Sequence, residues 1–292
     1  MPNTNLPIMK GSDTIRAMKQ EYTLNINKKS RIWELDFIRG FCIILMIMDH
    51  TLYDLAYIFK DVWFEDDTGG FWYWISDLAK TFYFPWILRD LVWGLVVFLF
   101  IFICGISCSF SHSNLIRGLR LGVVAFALTI FTWGLDWFTG QENQFTIRFG
   151  ILHMLAASIL LYCFLRKLGL VTMLVVGLLV IATGIYFSYF PLETPMDNIG
   201  VLIHTTSAFY SADYFPLLPW FGYFLIGAAI GPRLYEDRKS YFLRYGKDGW
   251  MSPILFAGRH SLIFYILHQP VIYGILTLVG VILHKSVLYM GS

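Results

Sequence analysis

The sequence predicts an all-α, polytopic membrane protein, built as a bundle of about seven transmembrane helices. Of its 292 residues, 57% are hydrophobic and only 14% are charged, and the mean hydropathy is +0.60. A soluble domain has about 25% charged residues. Several apolar runs are also long enough to cross a bilayer, which takes about 20 helical residues. A soluble globular protein is therefore excluded.

Hydropathy along the chain predicts seven spans, near residues 35–58, 90–110, 116–138, 149–165, 168–190, 215–232 and 254–283. The aromatic stretch 62–88 leaves room for an extra re-entrant or interfacial helix, because Trp and Tyr gather at the headgroup level. Residues 1–30 are polar and basic, without the apolar core of a signal peptide. We expect them to form a cytoplasmic tail, followed by a single transmembrane domain over 31–292.

The basic residues predict the orientation. With the N-terminus in the cytoplasm, sixteen of the 22 Lys and Arg residues fall in cytoplasmic segments and five fall outside. Cytoplasmic loops carry such an excess of positive charge. The sequence therefore predicts a multi-pass protein of the plasma or inner membrane, with an odd number of spans and the C-terminus outside.

The first span holds five ionisable side chains, Asp36, Arg39, Asp49, His50 and Asp54. Such groups at membrane depth are costly and usually face a bundle interior or a wet cavity. At about 100° per residue, Asp36 and Asp54 fall at the same angle on a helix. Arg39 and His50 lie within about 60° of them, and Asp49 lies nearly opposite. One helix face therefore carries a polar patch near each end.

His50 is favoured as a functional residue. His50 and Asp54 are i,i+4 neighbours that can touch on a helix. A carboxylate in contact with an imidazole fixes its tautomer and raises its basicity. The alternative for His50, and for the Asp36/Arg39 pair, is a structural polar network between helices.

Further polar residues lie near the predicted outer ends of other spans. Asp90 opens the second span, and Arg148 and His153 open the fourth. With His50 and Asp54 they could form one wet outer cluster, in which His153 is a further catalytic candidate. Asp90 and Arg148 are then candidates for binding a substrate.

The last span adds His268 and Gln269 as substrate-binding candidates. On a helix, Ser261, Tyr265 and His268 share one face. Pro270 should kink this helix and free a carbonyl. His268 either lines the cavity or braces that kink.

Other classes of site are not indicated. The four cysteines all lie inside apolar runs and are expected to be buried and free of disulfides. Neither a phosphate-binding Walker loop nor a dinucleotide-binding glycine fingerprint occurs. The spacing of the histidines does not indicate a metal site, and we expect no nucleic-acid partner.

Several stretches, in this order along the chain, resemble a known family. They are Glu34-Leu-Asp-Phe-Ile-Arg-Gly40 running into Leu45-Met-Ile-Met-Asp-His50, then Arg148-Phe-Gly-Ile-Leu-His153, Asp213-Tyr-Phe-Pro-Leu-Leu-Pro-Trp-Phe-Gly222 and Gly258-Arg-His-Ser-Leu-Ile-Phe-Tyr-Ile-Leu-His-Gln-Pro270. The chain resembles the transmembrane acyltransferase superfamily over about residues 31–275. More closely, it resembles bacterial membrane proteins related to the catalytic domain of heparan-α-glucosaminide N-acetyltransferase.

The resemblance implies transfer of an acyl group, usually acetyl, from cytosolic acyl-CoA to an extracytoplasmic glycan, amino sugar or other small acceptor. Arginines on the cytoplasmic side are the groups that would hold the CoA phosphates. The donor-binding candidates are therefore Arg39, Arg117, Arg120 and Arg259, together with Asp36 of the Asp36/Arg39 pair. The resemblance does not distinguish direct transfer from an acyl-histidine intermediate, or a monomer from a homodimer.

The chain departs from the family at one position that matters. The family's catalytic His is expected just after the first helix, but residues 51–88 contain no His. More distant superfamily members carry a His at the end of the first-helix motif. The resemblance therefore implies that His50 is the general base that takes the proton from the attacking amine or hydroxyl, with Asp54 orienting it. Two other functions remain open, a transporter or channel for a small anion or glycan precursor, and a non-catalytic membrane interaction protein.

Overall fold

The computed structural model describes residues 32–64, 69–140, 144–190, 199–203, 211–236, 239–242 and 249–283. In this part of the chain every regular element is a helix, which confirms the predicted all-α class. Six of its helices are long and apolar enough to cross a membrane. The predicted tail at 1–30 lies outside the described residues, and the single domain at 31–292 stays a prediction.

The helices of the described residues, in chain order, are α1 (Trp33–Tyr53, continued by a π-helical turn at Asp54–Phe59 and a last turn at Lys60–Trp63), α2 (Phe71–Leu78, continued by a π-helical turn at Ala79–Tyr83), α3 (Ile87–Ser109), α4 (Asn114–Thr139), α5 (Ile151–Leu165), α6 (Leu170–Tyr189), α7 (Leu217–Leu234), α8 (Ser252–Arg259) and α9 (Ser261–Ile282). The helix α2 is the extra element for which the sequence left room. The apolar helix α5 is shorter than the six long spans.

The prediction of one continuous span over 254–283 is wrong, because the helix ends at Arg259 and a new one begins at Ser261. His260 between them has non-helical backbone angles, φ −112° and ψ 24°. The backbone of Gly258 is in close contact with the backbone of Asp36 in α1, so α8 packs tightly against α1. The chain then changes direction, at residues with modest helix propensity.

The bundle packs as two groups of helices. In one group α7 packs between α3 and α6, and α4 packs on α5. Its core includes the buried side chains of Ile101, Met154 and Phe224. In the other group α8 and α9 pack on α1. The C-terminal end of α1 joins α9 through a second cluster that includes Phe59 and Leu276.

Two non-helical segments pair with each other at the start of α5 and of α7. Phe149 and Tyr214 form a parallel β-bridge. The Phe215 N–H donates to the Phe149 carbonyl at 3.0 Å, and the Ala212 N–H donates to the Thr146 carbonyl at 3.1 Å. Irregular backbone in a membrane protein needs such partners. The pairing fixes residue 213 beside the first turn of α5.

The close contact between α1 and α8 makes two glycines sensitive to substitution. A Cβ at Gly40 would meet the Ile254 carbonyl, and a Cβ at Gly258 would meet the Asp36 carbonyl. We expect Gly40→Ala or Gly258→Ala to cost about 1–3 kcal/mol of stability, the usual range for overpacking. Thermal unfolding in detergent measures this cost. Gly274→Ala in α9 is the matched control, because a Cβ there meets nothing within 4 Å, and an equal loss in the control would contradict the packing argument.

Candidate active site

Asp49, which faces away from the other charges of α1, binds Arg89 in the first turn of α3. The Arg89 Nε donates to Asp49 Oδ1 at 2.9 Å and its Nη2 donates to Oδ2 at 2.7 Å. The Tyr83 hydroxyl donates to the same carboxylate at 3.0 Å. A bidentate, largely buried pair of this kind fixes geometry strongly. It ties α1 to α3 and to the π-helical turn before α3.

At the inner end of α1, Asp36 and Arg39 form an ion pair at 3.0 Å. The Arg39 Nη2 also donates to Ser107 Oγ on α3 at 2.8 Å. Arg259 of α8 reaches the other Asp36 oxygen at 3.8 Å. These contacts give the inner station of α1, defined as Asp36, Arg39 and Arg259, which joins α1, α3 and α8.

The remaining two donor-binding candidates are divided between two places. Arg117 and Arg39 both lie within electrostatic reach of the Cys104 thiol on α3, so Arg117 belongs near the inner station. Arg120 instead lines an apolar groove along α4, together with Leu119 and Val123. Arg117 therefore lies near the predicted donor site, whereas Arg120 lies on the face of α4 that lines this groove.

Asp54 is fully buried, with 0% exposure, and its partner is Gln269 of α9. The Gln269 amide nitrogen donates to both carboxyl oxygens at 3.0 Å. No hydrogen bond joins Asp54 to His50, although the two are close enough to interact electrostatically. The carboxyl group predicted to orient His50 therefore links α1 to α9 instead, and Gln269, predicted to bind substrate, is engaged by it.

His50 of α1 meets His268 of α9 edge to face, with ring centroids 4.8 Å apart and planes at 89°. The His50 Nδ1 is 2.9 Å from the Met46 carbonyl, and the His268 Nδ1 is 2.6 Å from the Tyr265 carbonyl. A carbonyl oxygen only accepts hydrogen bonds, so each Nδ1 carries the proton.

Asp213 is a member of this site that the sequence candidates did not include. Its Oδ2 accepts hydrogen bonds from the Tyr265 hydroxyl at 2.6 Å and from the Ile151 N–H, at the start of α5, at 3.0 Å. Gly150 permits this approach, since a Cβ there would collide with the carboxylate. Burial has the largest effect on the carboxyl group of Asp213 and raises its pKa above the usual value, and the bonds from Tyr265 and Ile151 and the proximity of His50 offset only part of this rise.

We define the outer station as His50, His268, Asp213 and Tyr265. Two signals in the sequence pointed to its unpredicted members. Tyr265 shares a helix face with His268, and Asp213 precedes the proline-rich start of α7. Neither signal shows that Asp213 and Tyr265 touch, because that contact depends on how α9 packs against the segment before α7.

His153 does not join the outer station as a free base, because both of its ring nitrogens are used. The Gly150 N–H donates to Nδ1 at 3.3 Å. The proton therefore sits on Nε2, which is 3.1 Å from Thr129 Oγ1. That hydroxyl donates in turn to the Ile147 carbonyl at 2.7 Å. His153 thus connects α4 to the turn that starts α5.

The structure shows different surroundings for the two charged substrate-binding candidates. Asp90 has a side chain that is 64% exposed, and it binds Arg89 at 3.1 Å. The Arg148 backbone N–H donates to Ser211 Oγ at 3.0 Å, which secures the paired segments. Among the described residues, no group of three or more His, Cys, Asp or Glu side chains is placed to hold a metal ion.

The different bonding of His153 and His50 predicts different effects on stability. His153→Ala leaves the Gly150 N–H without its acceptor, which should cost about 1–3 kcal/mol. His50→Ala removes a bond to a carbonyl that the helix already satisfies, so its thermal unfolding should stay close to that of the wild type. Unfolding curves in one detergent measure both. A larger loss for His50→Ala than for His153→Ala would contradict this assignment.

Comparison with known proteins supports the resemblance seen in the sequence. A family model described as heparan-alpha-glucosaminide N-acetyltransferase, catalytic, matches residues 31–88 and 86–270. No curated relative and no solved structure matches the chain significantly. The family match covers most of the chain, including every residue of the inner and outer stations. The chain therefore belongs to the heparan-α-glucosaminide N-acetyltransferase catalytic family, which indicates a multi-pass membrane acetyltransferase.

Proposed function

We propose that this protein transfers an acetyl group from cytosolic acetyl-CoA to an amine or hydroxyl acceptor on the outer side of the cell membrane. The observation that carries the proposal is the position of His50. Its Nδ1 is bound to the Met46 carbonyl, so Nε2 is the ring nitrogen that acts on the acceptor. General bases of this kind contribute about 10²–10⁴-fold to a rate.

The acceptor binds at the outer station in this proposal. His50 removes the proton from the attacking nitrogen or oxygen. Asp213 has one oxygen, Oδ2, occupied by Tyr265 and Ile151, which leaves Oδ1 to hold a polar group of the acceptor. The amino group of an amino sugar suits such an oxygen, because its N–H groups donate hydrogen bonds.

The donor binds at the inner station. Arg39, Arg117 and Arg259 supply positive charge at the inner ends of α1, α4 and α8, where the CoA phosphates would enter from the cytoplasm. Arg39 is already engaged by Asp36 and Ser107. Arg117 and Arg259 are exposed and therefore make the direct phosphate contacts. About 21 Å of helix separates Asp36 from His50, so donor and acceptor enter from opposite faces of the membrane.

His50→Ala tests this proposal. Acetyl transfer from radiolabelled acetyl-CoA to glucosamine by the purified protein should fall by at least about 10²-fold, because the general base is lost. His112→Ala is the control, since His112 is exposed in the turn between α3 and α4. Transfer by His50→Ala at the wild-type rate would refute the role of His50. Flux of glucosamine into proteoliposomes without acetyl-CoA would favour a transporter instead.

A further inference from the structure

Arg120 differs from the paired arginines of the membrane-spanning helices. Arg39 binds Asp36 at 3.0 Å, and Arg89 binds Asp49 at 2.7 Å. Arg120 also lies within a long apolar helix, α4, but its side chain is exposed. It forms no hydrogen bond or ion pair with any of the described residues. Because a charge on an apolar helix is stabilised by water or by a counter-charge, this guanidinium is free to bind an anionic ligand.

The face of α4 that carries Arg120 forms an apolar groove. Its volume is about 510 Å³, within the range of about 300–1,000 Å³ that is usual for small-molecule sites. The groove is lined by Ile116, Leu119, Arg120, Val123 and Val124. The lining is almost entirely apolar, so Arg120 contributes its aliphatic stem and keeps its guanidinium at the rim. The groove therefore combines a wall that suits hydrocarbon with one positive charge at its edge.

The groove lies on the side of α4 that is turned away from its neighbour. Among the described elements, α4 packs mainly on α5. A Cβ at Gly118 would meet Leu160 of α5, and a Cβ at Gly122 would meet Ala156. At about 100° per residue, the side chains that line the groove lie on the opposite side of α4 from these two glycines. The groove therefore faces the surrounding lipid.

The position of Arg120 along α4 suits the phosphate layer of the bilayer. The helix has 26 residues, or about 39 Å, whereas the hydrocarbon core of a bilayer is about 30 Å thick. Arg120 lies about 9 Å from the start of α4 at Asn114, so its Cα is less than one turn inside that core when the helix is centred. Helix side chains point towards the N-terminal end of the helix. The guanidinium therefore reaches back to the headgroups, on the side that the basic residues predict to be cytoplasmic.

We propose that α4 binds an anionic phospholipid, with its phosphate on Arg120 and one acyl chain along the groove. A guanidinium binds phosphate through paired N–H donors, and the groove takes the hydrocarbon that the phosphate carries. Arg117 lies one turn earlier and is also exposed. The two positive charges repel the cationic headgroup of a zwitterionic lipid and favour a lipid with net negative charge. This site does not depend on acetyl transfer.

Native mass spectrometry of the purified protein, titrated with phosphatidylglycerol or phosphatidylcholine, measures the affinity for the first bound lipid. The wild type should bind phosphatidylglycerol more tightly. Arg120→Gln should weaken that binding about fivefold, the effect of one arginine at a membrane surface, and should leave phosphatidylcholine nearly unchanged. Val123→Trp fills the groove and should weaken both lipids. Arg166→Gln is the matched control, because Arg166 is exposed after α5, on the same predicted side of the membrane, and does not line the groove.

Three results would overturn the proposal. One is an affinity for phosphatidylglycerol that Arg120→Gln leaves unchanged, or that Arg166→Gln lowers as much, because positive charge would then act without a defined site. Another is a loss of acetyl-CoA affinity in Arg120→Gln with lipid binding intact, which would place Arg120 in the donor site. The third is a wild-type dimer without bound lipid that Val123→Trp converts to a monomer, which would assign the groove to a second copy of the chain.

Discussion

Each ionisable side chain of α1 needs a polar partner inside an apolar bundle, and that constraint organises the structure. An unpaired charge at membrane depth costs several kcal/mol. Asp36 is paired with arginines of α1 and α8, Asp49 with Arg89 of α3, and Asp54 with Gln269 of α9. Because these partners lie on different helices, satisfying the carboxyl groups of α1 also positions its neighbours. Gln269, the residue after His268, holds α9 against α1 through its bonds to Asp54. Because of this contact, the rings of His268 and His50 meet.

The hydrogen-bond partners divide the polar side chains of the bundle into two groups. His153 uses both ring nitrogens to join α4 to the start of α5, and Asp49 uses both carboxylate oxygens to hold α3. His50 and His268 each use one nitrogen, on a carbonyl of their own helix. In the proposed acetyl transfer, the second ring nitrogen of His50 is the atom that takes the proton of the acceptor. Residue type and position along the helix do not reveal it, whereas hydrogen-bond partners do.

Much of the fold follows from the sequence, because hydropathy and helix phase are local properties. The class, the α2 helix and the i,i+3 pair of Asp36 and Arg39 were predictable in this way. The break at His260 was not, since it depends on Gly258 lying against α1. The partner of Asp54 was also missed, because i,i+4 spacing favoured His50 and only tertiary packing brings Gln269 closer. Asp213 could not be predicted for the same reason, because its position depends on the pairing of two segments that are far apart in the sequence.

The central claim is that donor and acceptor meet in one protein from opposite faces of the membrane. Sealed proteoliposomes that contain glucosamine inside and receive radiolabelled acetyl-CoA outside test it directly. The account predicts that N-acetylglucosamine accumulates inside the vesicles, in the molecules whose inner station faces the added donor. Product that forms only when acetyl-CoA and glucosamine are present on the same side would contradict it.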